Sequence, residues 1–225
     1  MKTKLIFALA IVLTAVPAMA EQELVPYIGA DAKWSHMSFC KGEGNNLIKR
    51  DYPQGNFYGG AKFNDWVAFE AGYESTTKKT KSVTLNSGDN LYGQTIPSFF
   101  PDIKNTAKSK IHGFHANVVG FYPVSEAYRL SLIGSLGLSQ VKLRVSNVLA
   151  YSATLQDSFQ FVSRRWIPRV NVGVQHMLDA QTGLRAMVGW ERTGAFKNMT
   201  TAEFKYVASA HNTTNFGLGV FYNFK

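Results

Sequence analysis

One cysteine, Cys40, is all that the 225 residues contain, so no disulfide within the chain can staple this fold, and Cys40 reads as a free thiol. Beyond residue 20 no apolar run approaches the ~20 residues that a spanning helix requires. Helical periodicity is scarce. There is no domain linker, no low-complexity tract and no repeat in the range of about 20–50 residues. No Cys/His cluster has zinc spacing, and no glycine-rich strand-to-helix signature offers a phosphate site. His112 and His115 fall on opposite faces of one strand and do not form a metal pair. These absences remove the disulfide scaffold, the helical membrane protein and the nucleotide or zinc enzyme, and no cofactor is expected.

What is present begins with "MKTKLIFALAIVLTAVPAMA". Lys2 and Lys4, the apolar run from Leu5 to Val16, and Ala18-Met19-Ala20 before Glu21 read as a cleaved secretory signal over residues 1–20. Residues 21–225 are then one exported domain. The formal net charge of +9 falls to +7 without the two leader lysines. Export demotes nucleic acid as a partner despite the basic balance. If the exported chain spans a membrane it does so as a closed barrel, because unpaired backbone polar groups cost several kcal/mol each in hydrocarbon.

Alternation with a period of two recurs along the chain, and it marks eight strand-length segments near 24–35, 55–64, 66–75, 109–122, 128–142, 164–176, 182–192 and 212–224. Asn64-Asp65, Pro123 to Ala127 and Met177 to Gln181 read as tight turns. The other gaps, 36–54, 76–108, 143–163 and 193–211, read as long polar loops. The second, with "TTKKTKS" and "TIPSFFPD", has room for a hairpin of its own. The fold class implied is all-β, an eight-stranded antiparallel up-and-down barrel with short turns at one end and long loops at the other, the layout of an outer-membrane barrel.

Each segment has an apolar face and a polar one. Leu130, Leu132, Leu136 and Leu138 oppose Arg129, Ser131, Ser135 and Ser139; Val170, Val172 and Val174 oppose Arg169, Asn171 and Gln175. A soluble barrel would bury the first set, and alternation alone does not decide between the two arrangements. The leader, the turn and loop asymmetry, and aromatics at strand ends favour lipid. Trp34, Phe63, Trp66, Tyr73, Tyr122, Tyr128, Trp166 and Trp190, with Tyr222 and Phe224, suit the two water–lipid interfaces. The polar face then lines a narrow lumen, where Lys33, Lys62, Arg129, Arg169 and Arg185 meet Asp31, Glu70, Glu74 and Glu191. Such groups must pair, since stripping one partner from a buried pair costs ~3–5 kcal/mol. A plugged interior is expected rather than an open water pipe.

"YIGADAKWS", "FYGGAKFNDWVAFEAGYE", "GFYPV", "PRVNVGVQ" followed by Arg185, and "LGVFYNF" come in an order and spacing that resemble the transmembrane domain of outer membrane protein A and its small-barrel relatives. The resemblance implies both termini in the periplasm and an inner ion-pair cluster that gates a narrow pore. Glu70 matches the family's inward glutamate on the third strand, and Arg185 its inward arginine on the seventh. Gln175 stands where the family has a second glutamate, no lysine occupies the fourth-strand position, and Asp31 replaces a first-strand lysine. The pairing network is therefore expected to be rewired. No peptidoglycan-binding domain is expected after Lys225. Val220, Tyr222 and Phe224 fit the family's terminal signal for the barrel-assembly machinery, with Lys225 beyond the usual last position.

Some small barrels modify lipids. Ser35-His36-Met37-Ser38 places His36 and Ser38 on one outward face and resembles the His-x-Ser of lipid A deacylases, yet no acid lies at a spacing that would orient the histidine. Lys78, Lys79, Lys81, Lys104, Lys108 and Lys110 in or beside the second loop read either as attraction to lipopolysaccharide phosphates or an acidic host surface, or as a solvated loop. The expected function is a monomeric, non-enzymatic envelope barrel in outer-membrane lipid and lipopolysaccharide. Its loops would meet host or surface receptors in adhesion. A narrow ion or solute channel is the alternative, and a lipid A-modifying enzyme a remote one.

Overall fold

The computed structural model describes residues 24–39, 47–91, 94–99, 102–152, 154–197 and 206–224. Residues 1–20, read from the sequence as a secretory signal, and Cys40 lie outside them. Among the described residues, twelve strands follow in chain order: β1 (Val25–Phe39), β2 (Asp51–Lys62), β3 (Val67–Thr76), β4 (Lys79–Leu85), β5 (Asn90–Leu91), β6 (Gln94–Thr95), β7 (Ile103–Ser125), β8 (Leu130–Ala150), β9 (Gln156–Met177), β10 (Thr182–Glu191), β11 (Gly194–Lys197) and β12 (Tyr206–Asn223). Among the described residues no helix is long and apolar enough to cross a membrane.

Antiparallel pairing runs β1-β2-β3-β7-β8-β9-β10-β12, and β12 returns to β1 from Tyr27↔Asn223 to Phe39↔Ala210, so the sheet closes on itself. β4 continues the line of β3 along β7, and β11 continues β10 along β12. The result is a ring of eight staves, and closure leaves no open edge in the ring. Local chemistry sets the short turns. The Asn64 side chain accepts from the Trp66 and Val67 amides, and Asp179 accepts from those of Gln181 and Thr182. Arg129 closes the turn after β7 with φ of 48°.

The two faces of the ring separate as the alternation requires. Phe57, Phe114, Leu136, Val172, Val188 and Leu218 are exposed, whereas Asp31, Glu70, Arg169, Asn171 and Asn215 are buried. Across β7, β8 and β9 the outward rows read Tyr122/Leu132/Val174, Gly120/Gly134/Val172, Val118/Leu136/Val170, Ala116/Leu138/Pro168 and Phe114/Gln140/Trp166. The eight residue steps from Phe114 to Tyr122 span ~27 Å of strand. At ~40° tilt that is ~21 Å of height, close to the ~25 Å apolar band of an outer-membrane barrel.

Three connections read as long loops are largely strand. β7, β8 and β9 have 23, 21 and 22 residues, about twice the ~9–11 needed to cross a membrane. β4 and the two-residue β5–β6 hairpin occupy much of the second gap. In these extensions the polarity of the two faces exchanges without any change of register. On β7, Ile103, Ala107 and Ile111 point in and are buried, while Lys104, Lys108 and Lys110 point out and are exposed. With Met37, Ile48, Tyr52, Leu143, Val145, Phe161 and Phe196 they form one apolar core inside the long-loop end. The extension is a barrel with an apolar inside and a charged outside, standing on one whose outside is apolar and whose inside is charged.

Candidate functional site

Below that core, the staves turn charged side chains into the lumen in two neighbouring groups. Arg185 on β10 forks over two carboxylates. Its Nε and Nη2 donate to Asp31 on β1 at 3.1 and 2.9 Å, and its Nη1 and Nη2 to Glu70 on β3 at 2.8 and 3.4 Å. Its guanidinium carbon lies 3.7 Å from the centre of the Tyr58 ring. Tyr27 donates to Glu70, and Asn56 to Asp31 at 2.8 Å. The second group centres on Arg169 of β9, whose Nη2 donates to Glu191 at 2.6 Å and to Glu74 at 3.1 Å, and Lys33 donates to Glu74 at 3.4 Å. His115 attaches to the first group through Asn56: its Nε2 lies 2.8 Å from Asn56 Oδ1 and its Nδ1 3.1 Å from Asn117 Nδ2. These bonds place the imidazole proton on Nε2.

Gly219 explains how Arg185 and Asp31 meet. They sit on β10 and β1, on either side of β12, and both are paired with Gly219. A Cβ there would collide with the Asp31 carboxylate and come within 2.6 Å of the Ala30 carbonyl oxygen. The missing side chain is the opening through which the ion pair closes.

Four carboxylates and three cations thus fill the waist of the ring. The void among them measures about 20 Å³ and is lined by Asp31, Lys33, Glu70, His115, Arg169 and Arg185, among others. That is room for about one water molecule. Tyr27, Tyr58, Val119 and Phe221 form an apolar floor beneath, backed by Phe121 and Met177. The apolar core of the long-loop end forms a ceiling. The charged waist is thus flanked along the barrel by apolar packing on both sides.

Seven of the ten lumenal residues read from the sequence, Asp31, Lys33, Glu70, Glu74, Arg169, Arg185 and Glu191, are brought together here. Three are not. Lys62 lies toward the short turns with its ammonium 5.0 Å from the centre of the Phe121 ring. Arg129 is exposed in a turn, because β8 begins one residue later. Gln175 is buried in the lumen beside Arg185 in register, but its amide donates to the Met177 sulfur at 3.7 Å. Asp31 supplies the second carboxylate to Arg185 instead. Beyond their inward parity in alternating segments, nothing in the sequence pattern marks His115, Asn56 and Tyr27 as partners in the network.

At the rim, the sequence offered His36 no acid, and here the structure differs. Asp51 lies directly across the β1–β2 hairpin from His36, with 2.8 Å between His36 Nδ1 and Asp51 Oδ1, both half exposed. Ser38 lies on the same outward face and pairs through its backbone with Asn212 of β12, and its hydroxyl has no side-chain partner among the described residues. Also among the described residues, no group of three His, Cys, Asp or Glu side chains is placed to hold a metal ion. Trp34, Tyr73, Trp166 and Trp190 stand exposed toward the long-loop edge of the apolar band; Trp66, Tyr122, Tyr128, Tyr222 and Phe224 stand exposed toward the other. Phe63 is half-buried there. Val220, Tyr222 and Phe224 face outward at the end of β12.

The sequence matches the model of the outer membrane protein beta-barrel domain over residues 6–224. The chain belongs to the outer-membrane β-barrel family. It is therefore a bacterial outer-membrane protein, and its short turns and long loops are those that the family's barrels carry on the periplasmic and extracellular sides. No curated protein matches the chain in sequence. Among solved structures, the barrel is similar to Neisserial surface protein A at 14% identity, over 90% of this chain and 100% of that one, with a TM-score of 0.52. It is also similar to OprG of Pseudomonas aeruginosa (10% identity, 90% and 97% covered, TM-score 0.49) and to Ail, the attachment invasion locus protein of Yersinia pestis, solved with the heparin analogue sucrose octasulfate (13%, 89% and 97%, TM-score 0.46). At these identities the likeness is one of fold.

Proposed function

We propose that this barrel is a non-conducting, non-enzymatic, monomeric wall element of the outer membrane that raises a rigid β-platform above the lipid for contacts with surfaces or receptors. The observation that supports the reading is the packing of the lumen at three levels, charged at the waist and apolar on either side. A conducting path would have to part the Arg185 and Arg169 ion pairs and also cross apolar packing on both sides, where an ion would lose its hydration with no replacement ligands. The platform follows from β7, β8 and β9, whose outer halves stand beyond the lipid-facing rows and carry the loops away from the membrane. The terminal residues Val220, Tyr222 and Phe224 serve recognition by the barrel-assembly machinery in this reading.

Planar-bilayer recording of the refolded protein tests it: no discrete openings are expected. Reproducible unitary currents that change in Glu70→Ala or Arg185→Ala would replace it with the channel reading. The His36–Asp51 pair gives the enzyme alternative one concrete feature. Half-exposed histidine and aspartate beside an unengaged Ser38 lack the activated nucleophile that acyl transfer requires. Expression of the protein should leave the mass spectrum of lipid A unchanged. A new lipid A species abolished by His36→Ala would sink the non-enzymatic assignment.

A further inference from the structure

The outer wall of β7, β8 and β9 changes character within one row. Phe114, Gln140 and Trp166 stand side by side, with Tyr73 beyond Phe114 on β3. The next row outward is His112, Lys142 and Arg164, followed by Lys110 and Arg144, with Lys108 beyond. Lys142 is directly opposite Arg164, and Lys110 directly opposite Arg144. Like charges directly opposed on adjacent strands, with Cβ atoms ~4.5–5.5 Å apart, destabilise a sheet. Two such pairs occur side by side.

Nothing on this wall neutralises them. No Asp or Glu occupies the outward positions of β7, β8 or β9 at these levels. Among the described residues none of Lys108, Lys110, Lys142, Arg144 and Arg164 is in an ion pair. His112 lies in the field of Lys142, Lys110, Arg144 and Arg164 together, and its Nδ1 is buried without a partner. The β1–β2 wall differs, since there His36 has Asp51 beside it.

We propose that the patch formed by Lys110, Lys142, Arg144 and Arg164 seats the phosphate groups of an outer-leaflet glycolipid, whose acyl chains lie against Phe114, Leu138 and Trp166 below. Its height selects this occupant: the cations begin one row beyond the aromatics that border the apolar band, where headgroup phosphates lie. Its charge selects it too, because a multiply charged anion between the two opposed pairs converts mutual repulsion into attraction to a shared partner. The adjoining apolar wall gives a lipid an advantage that a free anion lacks. The proposal deepens the envelope role and rests on the apolar band facing lipid.

The test uses the refolded full-length protein in neutral detergent micelles, with bis-phosphorylated lipid A and the same lipid A after dephosphorylation as probes. Wild type binds the phosphorylated lipid more tightly. Lys142→Gln/Arg164→Gln weakens that binding by about 25-fold, roughly five-fold per cation, and leaves the dephosphorylated lipid unaffected. Lys49→Gln/Arg50→Gln, which removes the same charge from the exposed β1–β2 rim, changes neither affinity. Equal binding of the two lipids by wild type, an equal loss in the rim variant, or full displacement by millimolar inorganic phosphate overturns the proposal. A heat-dependent shift on a gel establishes that each variant is folded. A protein that stays folded and monomeric without detergent would refute the lipid-facing band itself, an outcome distinct from a folded, detergent-bound barrel indifferent to phosphate.

Discussion

Replacing Arg185 with alanine removes the hub of the lower ion-pair group, and the consequence follows from what each partner keeps. Asp31 loses two bonds and retains one, from Asn56. Glu70 also loses two and retains the Tyr27 hydroxyl at 3.3 Å. Two carboxylates then face each other in a waist with space for about one water, and removing one partner of a buried pair costs ~3–5 kcal/mol. With a urea slope of roughly 2 kcal/mol per molar, the unfolding midpoint in lipid vesicles, followed by tryptophan fluorescence, should fall by about 1.5–2.5 M. Replacing the whole group by neutral side chains, Asp31→Asn/Glu70→Gln/Arg185→Met, should recover most of the loss, because a buried ion cluster is often exchanged for neutral packing at little cost. An Arg185→Ala midpoint equal to wild type, or a triple variant no better than the single one, would refute this account of the lumen.

Gly219→Ala should destabilise by ~1–3 kcal/mol through overpacking against Asp31 and the Ala30 carbonyl, read in the same titration; a neutral effect would mean that Asp31 and Arg185 are not held over β12. Leu136→Arg introduces a charge on the outer wall, where Leu136 is 64% exposed. It should cost ~2–4 kcal/mol in vesicles, whereas an exposed site in water would absorb it within ~0.5 kcal/mol. At the turn after β9, the amides of Thr182 and Gln181 hold the Asp179 carboxyl below the ordinary aspartate range. A depressed value means that the turn gains stability above pH ~3.9 and loses it as pH falls further. The Gln181 and Thr182 amide resonances should therefore move only in that acid window, and movement near neutrality would contradict the assignment.

The eight staves and the identity of their inward faces were legible in the sequence, because a period-two pattern with one greasy and one polar face leaves little choice of parity. The outer halves of β7, β8 and β9 were not. Above the lipid band the inward residues become Ile103, Ala107 and Ile111 and the outward ones Lys104, Lys108 and Lys110. A lysine-rich alternation outside a presumed membrane span reads as loop. Membership of the ion-pair layer was legible where parity alone decided it, as for Glu70 and Arg185. It failed for Arg129, which lies in a turn whose end position sets its direction. Partner choice was beyond reach, since Arg185 and Asp31 are 154 residues apart. So was the His36–Asp51 contact, which depends on the register of a hairpin whose connecting loop carries no period-two signal.

The lipid-facing band is the claim on which the lumen, the platform and the phosphate seat all depend, and spin labels report it most directly. With Cys40 replaced by serine, single labels at positions 136 and 144 of the bilayer-embedded barrel are compared for collisions with oxygen, which concentrates in lipid, and with a water-soluble nickel chelate. The account predicts that the label at 136 meets oxygen and is shielded from nickel, while the label at 144 meets nickel. A label at 136 as open to the nickel chelate as the one at 144 would contradict it.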